Sequence, residues 1–197
     1  LRPVNHETTA LGVAFLAGAV MDINEVESAI ENIQNRSDKS FGLNFHFFQK
    51  DADQIVDLAI KKNLKAVSYG RSPDKKLIEK LKEAGILCVP TVGALDHALK
   101  AESLGADILV VQGAEGGGHT GKVPTNELLP QVIEEVNIPV VAAGGFKDGL
   151  GLRRAISFGA VGIAMGTRFM MTSDSPVPRK TLERYLEAKS SDIVVTK

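Results

Sequence analysis

The chain has 197 residues, 44% of them hydrophobic and 24% charged, with a net charge of −1. That length suits one domain, and the mixture is that of a globular protein. Near-zero charge, no tryptophan and only two tyrosines leave no electrostatic footprint for nucleic acid or an anionic membrane, and no strong base-stacking platform.

In chain order, short apolar runs alternate with amphipathic ones. The longest apolar run, ALGVAFLAGAVM (residues 10–21), is too short and glycine-rich to span a bilayer, and no basic stretch precedes it as in a signal peptide. Its part LGVAFLA reads as a strand. The following INEVESAIENIQNRSD places Ile23, Val26, Ile30 and Ile33 at helical spacing, with acids in the early turns. FGLNFHFF precedes the helix ADQIVDLAIKK. LKAVSYG precedes PDKKLIEKLKEAG, which opens on Pro73 and Asp74 and closes on Gly85. ILCVPTVG precedes ALDHALKAESLG. ADILVVQG leads into a glycine cluster and then TNELLPQVIEEVN. IPVVAAGG precedes DGLGLRRAISFG, and VGIAMGTRFMM precedes PRKTLERYLEAKSSD. The single cysteine, Cys88, sits in an apolar run. It reads as a buried thiol in a reduced, cytoplasmic setting.

Seven strand-helix units have the rhythm of parallel strands with helical crossovers, and their apolar runs suggest strands covered on both faces. An open doubly wound sheet and a (β/α)8 TIM barrel both fit. A dinucleotide-binding sheet should carry its glycine fingerprint at the first strand-helix turn, but that turn reads LAGAVMD. The glycines gather after the last three strands instead, in QGAEGGGHTG, AAGG and AMGT. Barrels bind phosphate after strands seven and eight. The reading is therefore one α/β domain over residues 1–197, a (β/α)8 TIM barrel whose first strand is missing or obscured. LRPVNHETT is too polar and short to supply that strand.

Those three loops form the candidate site. In AAGGFKDG, Gly144 and Gly145 let backbone N–H groups approach an anion, and Asp148 caps the next helix. The alternative is a tight turn needing positive φ. In AMGTRF, Gly166 and Thr167 add a second donor set, while Arg168 reads equally as a phosphate ligand or an ion-pair partner. Gln112 stands at a strand tip, suited to the edge of a flat heterocycle or to capping its own loop. Gly116, Gly117 and Gly118 let the backbone pass over a ring or phosphate. They present His119 for proton transfer or for holding an anion, unless it is only a solvated loop histidine. Asn44, mid-strand in FGLNFHF, either meets a ligand ring or completes a core hydrogen bond. His6, His46 and His97 have no such context and read as structural or exposed. No metal-ligand spacing and no Walker lysine appear.

VVQGAEGGGHTG, PVVAAGGFKDGLGLRRAISFGAVGIAMGTRFM and FGLNF resemble the nitronate monooxygenase (2-nitropropane dioxygenase) family of FMN-dependent barrels. They are similar also to the FMN-dependent enoyl-ACP reductases of the same superfamily. The resemblance runs from about Leu11 to Pro178. It implies that Asn44 and Gln112 contact the flavin ring and that Gly117 and Gly118 pass close to it. Gly144, Gly145, Gly166 and Thr167 would hold the FMN phosphate, and His119 would be the catalytic histidine. The implied activity is oxidation of alkyl nitronates with O2 to a carbonyl compound and nitrite. The alternatives are an NAD(P)H-dependent flavin reductase acting on enoyl thioesters or quinones, and a flavin-free phosphate-binding isomerase barrel. A homodimer fits the family. The proline-methionine pair that ends the family's first strand has no match in LRPV, and the region after the last strand is short, as in a piece of a longer barrel.

Overall fold

The computed structural model describes residues 12–70, 74–118 and 121–194. Seven strands form one sheet: β1 (Phe15–Ala17), β2 (Gly42–His46), β3 (Ala66–Gly70), β4 (Leu87–Val92), β5 (Leu109–Gln112), β6 (Val140–Ala143) and β7 (Gly162–Ala164). Their order in space is their order in sequence, and every neighbouring pair is parallel. The crossovers are α1 (Ile23–Arg36), α2 (Ala52–Lys61), α3 (Lys75–Glu83), α4 (Leu95–Ser103), α5 (Thr125–Glu135) and α6 (Gly149–Ser157). A single turn, α7 (Thr167–Met170), and α8 (Arg179–Glu187) follow β7.

The strand order decides between the two architectures. A doubly wound sheet reverses direction at a switch point. Here no reversal occurs, so crossovers of one hand stack their helices on one face and curl the sheet toward closure. The fold is α/β of TIM-barrel type. Among the described residues β1 and β7 do not pair, so the sheet is a partial barrel of seven strands.

The core lies between sheet and helices. In the first half, Leu43, Phe45, Val67, Tyr69 and Cys88 meet Val26, Ile30, Ile55, Val56, Ile78 and Leu81. In the second, Leu109, Val111, Val140 and Ala142 meet Leu128, Leu129, Val132 and Ala155. Alternation along each strand turns the intervening residues to the lumen. That face is less completely covered than the apolar strands suggest. Phe15 remains 37% and Leu87 45% exposed, because the incomplete barrel leaves lumen side chains open.

The helix ends follow the sequence signals. Asp22 caps α1 by accepting from the Asn24 and Glu25 N–H groups at 2.9 Å each, and Glu25 closes the capping box. Asp74 and Asp148 cap α3 and α6 in the same manner. Two elements differ from expectation. The first strand is regular only over Phe15–Ala17. The run VGIAMGTRFMM leaves the sheet at Ala164, where Gly166 takes helical backbone angles and starts the turn of α7.

Asp107 ties α3 to the sheet: it accepts from Lys82 Nζ at 2.7 Å and from the Cys88 N–H at 2.8 Å. Cys88 is buried as expected. Burial first, and then the Asp107 charge, push its thiol up to about 11.

Candidate functional site

Gln112, Ala143 and Ala164 share one row of the sheet, on the lumen face of three adjacent strands. The loops that follow therefore leave the barrel at one level and side by side. Those are the loops after β5, β6 and β7, where the glycines concentrate.

The β5–α5 loop is held by its own polar groups. Ala114 N–H donates to Val123 O at 2.9 Å and Gly116 N–H to Gly113 O at 3.0 Å. Gln112 Nε2 donates to Gly117 O at 3.2 Å. The Glu115 carboxylate reaches the N-terminus of α5, where Oε2 accepts from Thr125 N–H at 2.9 Å and from Thr125 Oγ1 at 2.7 Å. Thr125 Oγ1 also lies 3.3 Å from Ala143 O, at the start of the next loop. Burial acts to raise the Glu115 pKa, but the two Thr125 donors outweigh it and leave the carboxyl below its ordinary value.

The glycines fall into two sets. At Gly113 and Gly116 a Cβ would collide with Thr125 and with the Gln112 side chain. At Gly144 (φ +100°) it would lie 2.8 Å from Thr125 Oγ1 and 3.0 Å from Gly116 N. These glycines let the loops pack on each other. At Gly118 the backbone itself calls for glycine (φ +79°), but at Gly117 and Gly166 a Cβ would meet no atom of the described residues within 4 Å. Packing does not require glycine there, and the open space suits a ligand lying on bare backbone. Among the described residues, neither the Gly145 nor the Gly166 N–H meets a protein acceptor. Two adjacent loops thus offer donors to an anion, the arrangement a phosphate needs. The residues present fit a flat, phosphate-bearing cofactor.

Gln112, Gly117, Gly118, Gly144, Gly145, Gly166 and Thr167 therefore gather at one mouth. Asn44 lies apart on β2, where its Nδ2 donates to Ser68 O at 3.2 Å across the β2–β3 pair. Its side chain lies on the lumen face of the sheet. Arg168 is exposed on α7 and has no ion pair among the described residues. His119 and Thr120, like His6, lie outside the described residues. Glu115 and Thr125 were missing from the sequence-derived site. Glu115 and Thr125 are ten residues apart and become neighbours only through the loop. His46 is half-buried at the end of β2, on the face that carries Asn44, and its ring stacks on Phe48 at 4.8 Å. Among the described residues no group of three acids, histidines or cysteines could hold a metal. None of the helices is long and apolar enough to cross a membrane.

A nitronate monooxygenase family model matches residues 6–197. A Rhodococcus jostii protein named "(3aS,4S,5R,7aS)-5-hydroxy-7a-methyl-1-oxo-octahydro-1H-indene-4-carboxyl-CoA dehydrogenase" is 46% identical over 196 residues, 100% of this chain and 56% of that protein. A "Probable nitronate monooxygenase" of Staphylococcus saprophyticus is 38% identical over 159 residues, 75% of this chain and 44% of that protein. The solved structure of FabK from Thermotoga maritima superposes with a TM-score of 0.90 at 36% identity, covering 94% of this chain and 60% of that one. The chain thus spans about half the length of the curated relatives it matches. With a matching model over nearly its whole length, and strand order and glycine loops of the kind described, the chain belongs to the nitronate monooxygenase family.

Proposed function

We propose that the chain forms the FMN-binding part of an oxidoreductase that removes hydrogen from a coenzyme A thioester. The observation that carries the flavin reading is the row Gln112–Ala143–Ala164, which brings three glycine loops to one mouth with open backbone at Gly117 and Gly166. Gly145, Gly166 and Thr167, with Gly144 setting the turn, would hold the phosphate. Gln112, Asn44, Gly117 and Gly118 would face the ring. FMN, when bound, supplies a two-electron acceptor that the side chains themselves lack. The protein's part is to hold the substrate and move a proton. Dehydrogenation releases one hydrogen as a proton and one with its electron pair, and His119 would take the proton, since imidazole is the side chain whose ordinary pKa suits proton transfer near neutral pH. The thioester class rests on identity of 46% over the whole chain to a carboxyl-CoA dehydrogenase.

A second reading, oxidation of an alkyl nitronate with O2 to a carbonyl compound and nitrite, is favoured by the 38% identical relatives and the family model. There His119 would hold the anionic nitronate. An NAD(P)H-dependent enoyl reductase fits the same site.

The experiment is anaerobic addition of an alicyclic carboxyl-CoA thioester, an alkyl nitronate or NADH to the FMN-loaded protein. Loss of flavin absorbance near 450 nm with the thioester alone supports the first reading. Loss with the nitronate alone replaces it with the second, and loss with NADH alone points to the reductase. Replacing His119 with alanine should leave FMN bound and slow the bleaching about 100-fold or more.

A further inference from the structure

Glu115 is the one acidic group of the glycine loop among the described residues, and it does not face the lumen as a free acid. Its Oε2 takes both the N–H and the hydroxyl of Thr125. Thr125 is buried, and its hydroxyl lies against Ala143 O. The Gly144 backbone packs beside that hydroxyl and beside the Gly116 N–H, and the Gly145 Cα faces the Glu115 Cβ. One carboxylate thus joins the loop leading to His119, the start of α5 and the Gly144–Gly145 turn. We propose that Glu115 and Thr125 are positioning residues that lock the glycine loop after β5 to the phosphate turn, so that an occupied turn fixes the course of that loop.

This inference rests on the flavin reading for its link to chemistry, though the lock itself does not need the cofactor. Both donors end on one oxygen, so reach should matter more than charge. Thr125→Val keeps the shape and the backbone N–H but loses the hydroxyl. Glu115→Asp keeps the charge but is one methylene short. Glu115→Gln keeps the accepting oxygen, and Thr125→Ser keeps the hydroxyl.

The test has two readouts. The first is FMN affinity from quenching of flavin fluorescence. The second, on the cofactor-free protein, is the rate of tryptic cleavage after Lys122, an exposed residue of the same loop. Thr125→Val and Glu115→Asp should each weaken FMN binding about tenfold, the usual effect of losing a hydrogen bond to a charged group. Both should speed cleavage at Lys122 several-fold. Thr125→Ser should stay within about twofold of the parent on both readouts, and Glu115→Gln, which keeps an accepting oxygen, should lose clearly less than Glu115→Asp. Glu115→Asp, at an exposed residue, carries the test if the buried Thr125→Val fails to fold. Unchanged FMN affinity and unchanged cleavage in Glu115→Asp overturn the proposal, and so does a Glu115→Gln variant as impaired as Glu115→Asp. A parent chain that binds no FMN sinks the flavin reading, while the cleavage rates still decide whether the lock exists.

Discussion

At Gly117 and Gly166 a methyl group would meet no atom of the described residues, whereas at Gly113 and Gly144 it would strike the Thr125 region. The two sets should part company experimentally. Gly166→Ala and Gly117→Ala should leave the melting temperature within a degree or two, since an uncrowded substitution changes stability by about 0.5 kcal/mol or less, and should weaken FMN binding about tenfold or more. Gly113→Ala and Gly144→Ala should destabilise the fold by about 1–3 kcal/mol through overpacking, with strain added at Gly144 by its positive φ. Thermal melts with and without FMN check both halves. Cys88 makes a separate case. A thiol pushed up to about 11 and fully buried is almost entirely protonated at pH 8. Alkylation by iodoacetamide at that pH should be negligible over an hour and become complete in denaturant. Ready labelling of the native chain would contradict the packing described.

Among the elements, α1 and α5 show two different ways of satisfying a helix start. Asp22 caps α1 from the preceding residue, so Asp22→Ala should cost about 1 kcal/mol. At α5, whose preceding residue is Pro124, the accepting oxygen comes from Glu115, ten residues back. Glu115 has a lower pKa folded than unfolded, so protonating it removes stability. Its contribution should be complete at neutral pH and decline as the pH falls through the ordinary carboxylate range and below. Glu115→Gln should flatten that part of the stability curve measured by urea unfolding; an unchanged acid limb would contradict the assignment. The elements also mark what the sequence could show. Helix starts at Asp74 and Asp148 were legible because the capping side chain is adjacent to the helix it caps. The strands were legible as apolar runs, except at TRFM, where apolar character hid a helical turn. The Glu115–Thr125 pair was not legible, because its partners meet only once the loop is folded.

For the whole molecule, the strand order was reachable only by inference from where the glycines lie, and the sheet then supplied the direct argument: no reversal, hence a barrel. The edges of β1 and β7 do not pair with each other among the described residues. Near β7 the chain also exposes Leu150, Ile156, Val161 and Phe169. An open parallel edge beside apolar side chains invites association. In sedimentation velocity the chain should self-associate as concentration rises, and Val161→Lys with Phe169→Glu should reduce this without loss of helical signal. A chain that stays monomeric at the highest soluble concentration would show that these surfaces are not sticky. The central claim, that adjacent glycine loops hold a phosphate-bearing flavin, is tested most directly by calorimetric titration with FMN and with riboflavin. The site predicts one FMN per chain, bound about 100-fold or more tighter than riboflavin, because only FMN reaches the N–H groups of Gly145 and Gly166. Equal affinity for the two, or no binding by a folded chain, would contradict it.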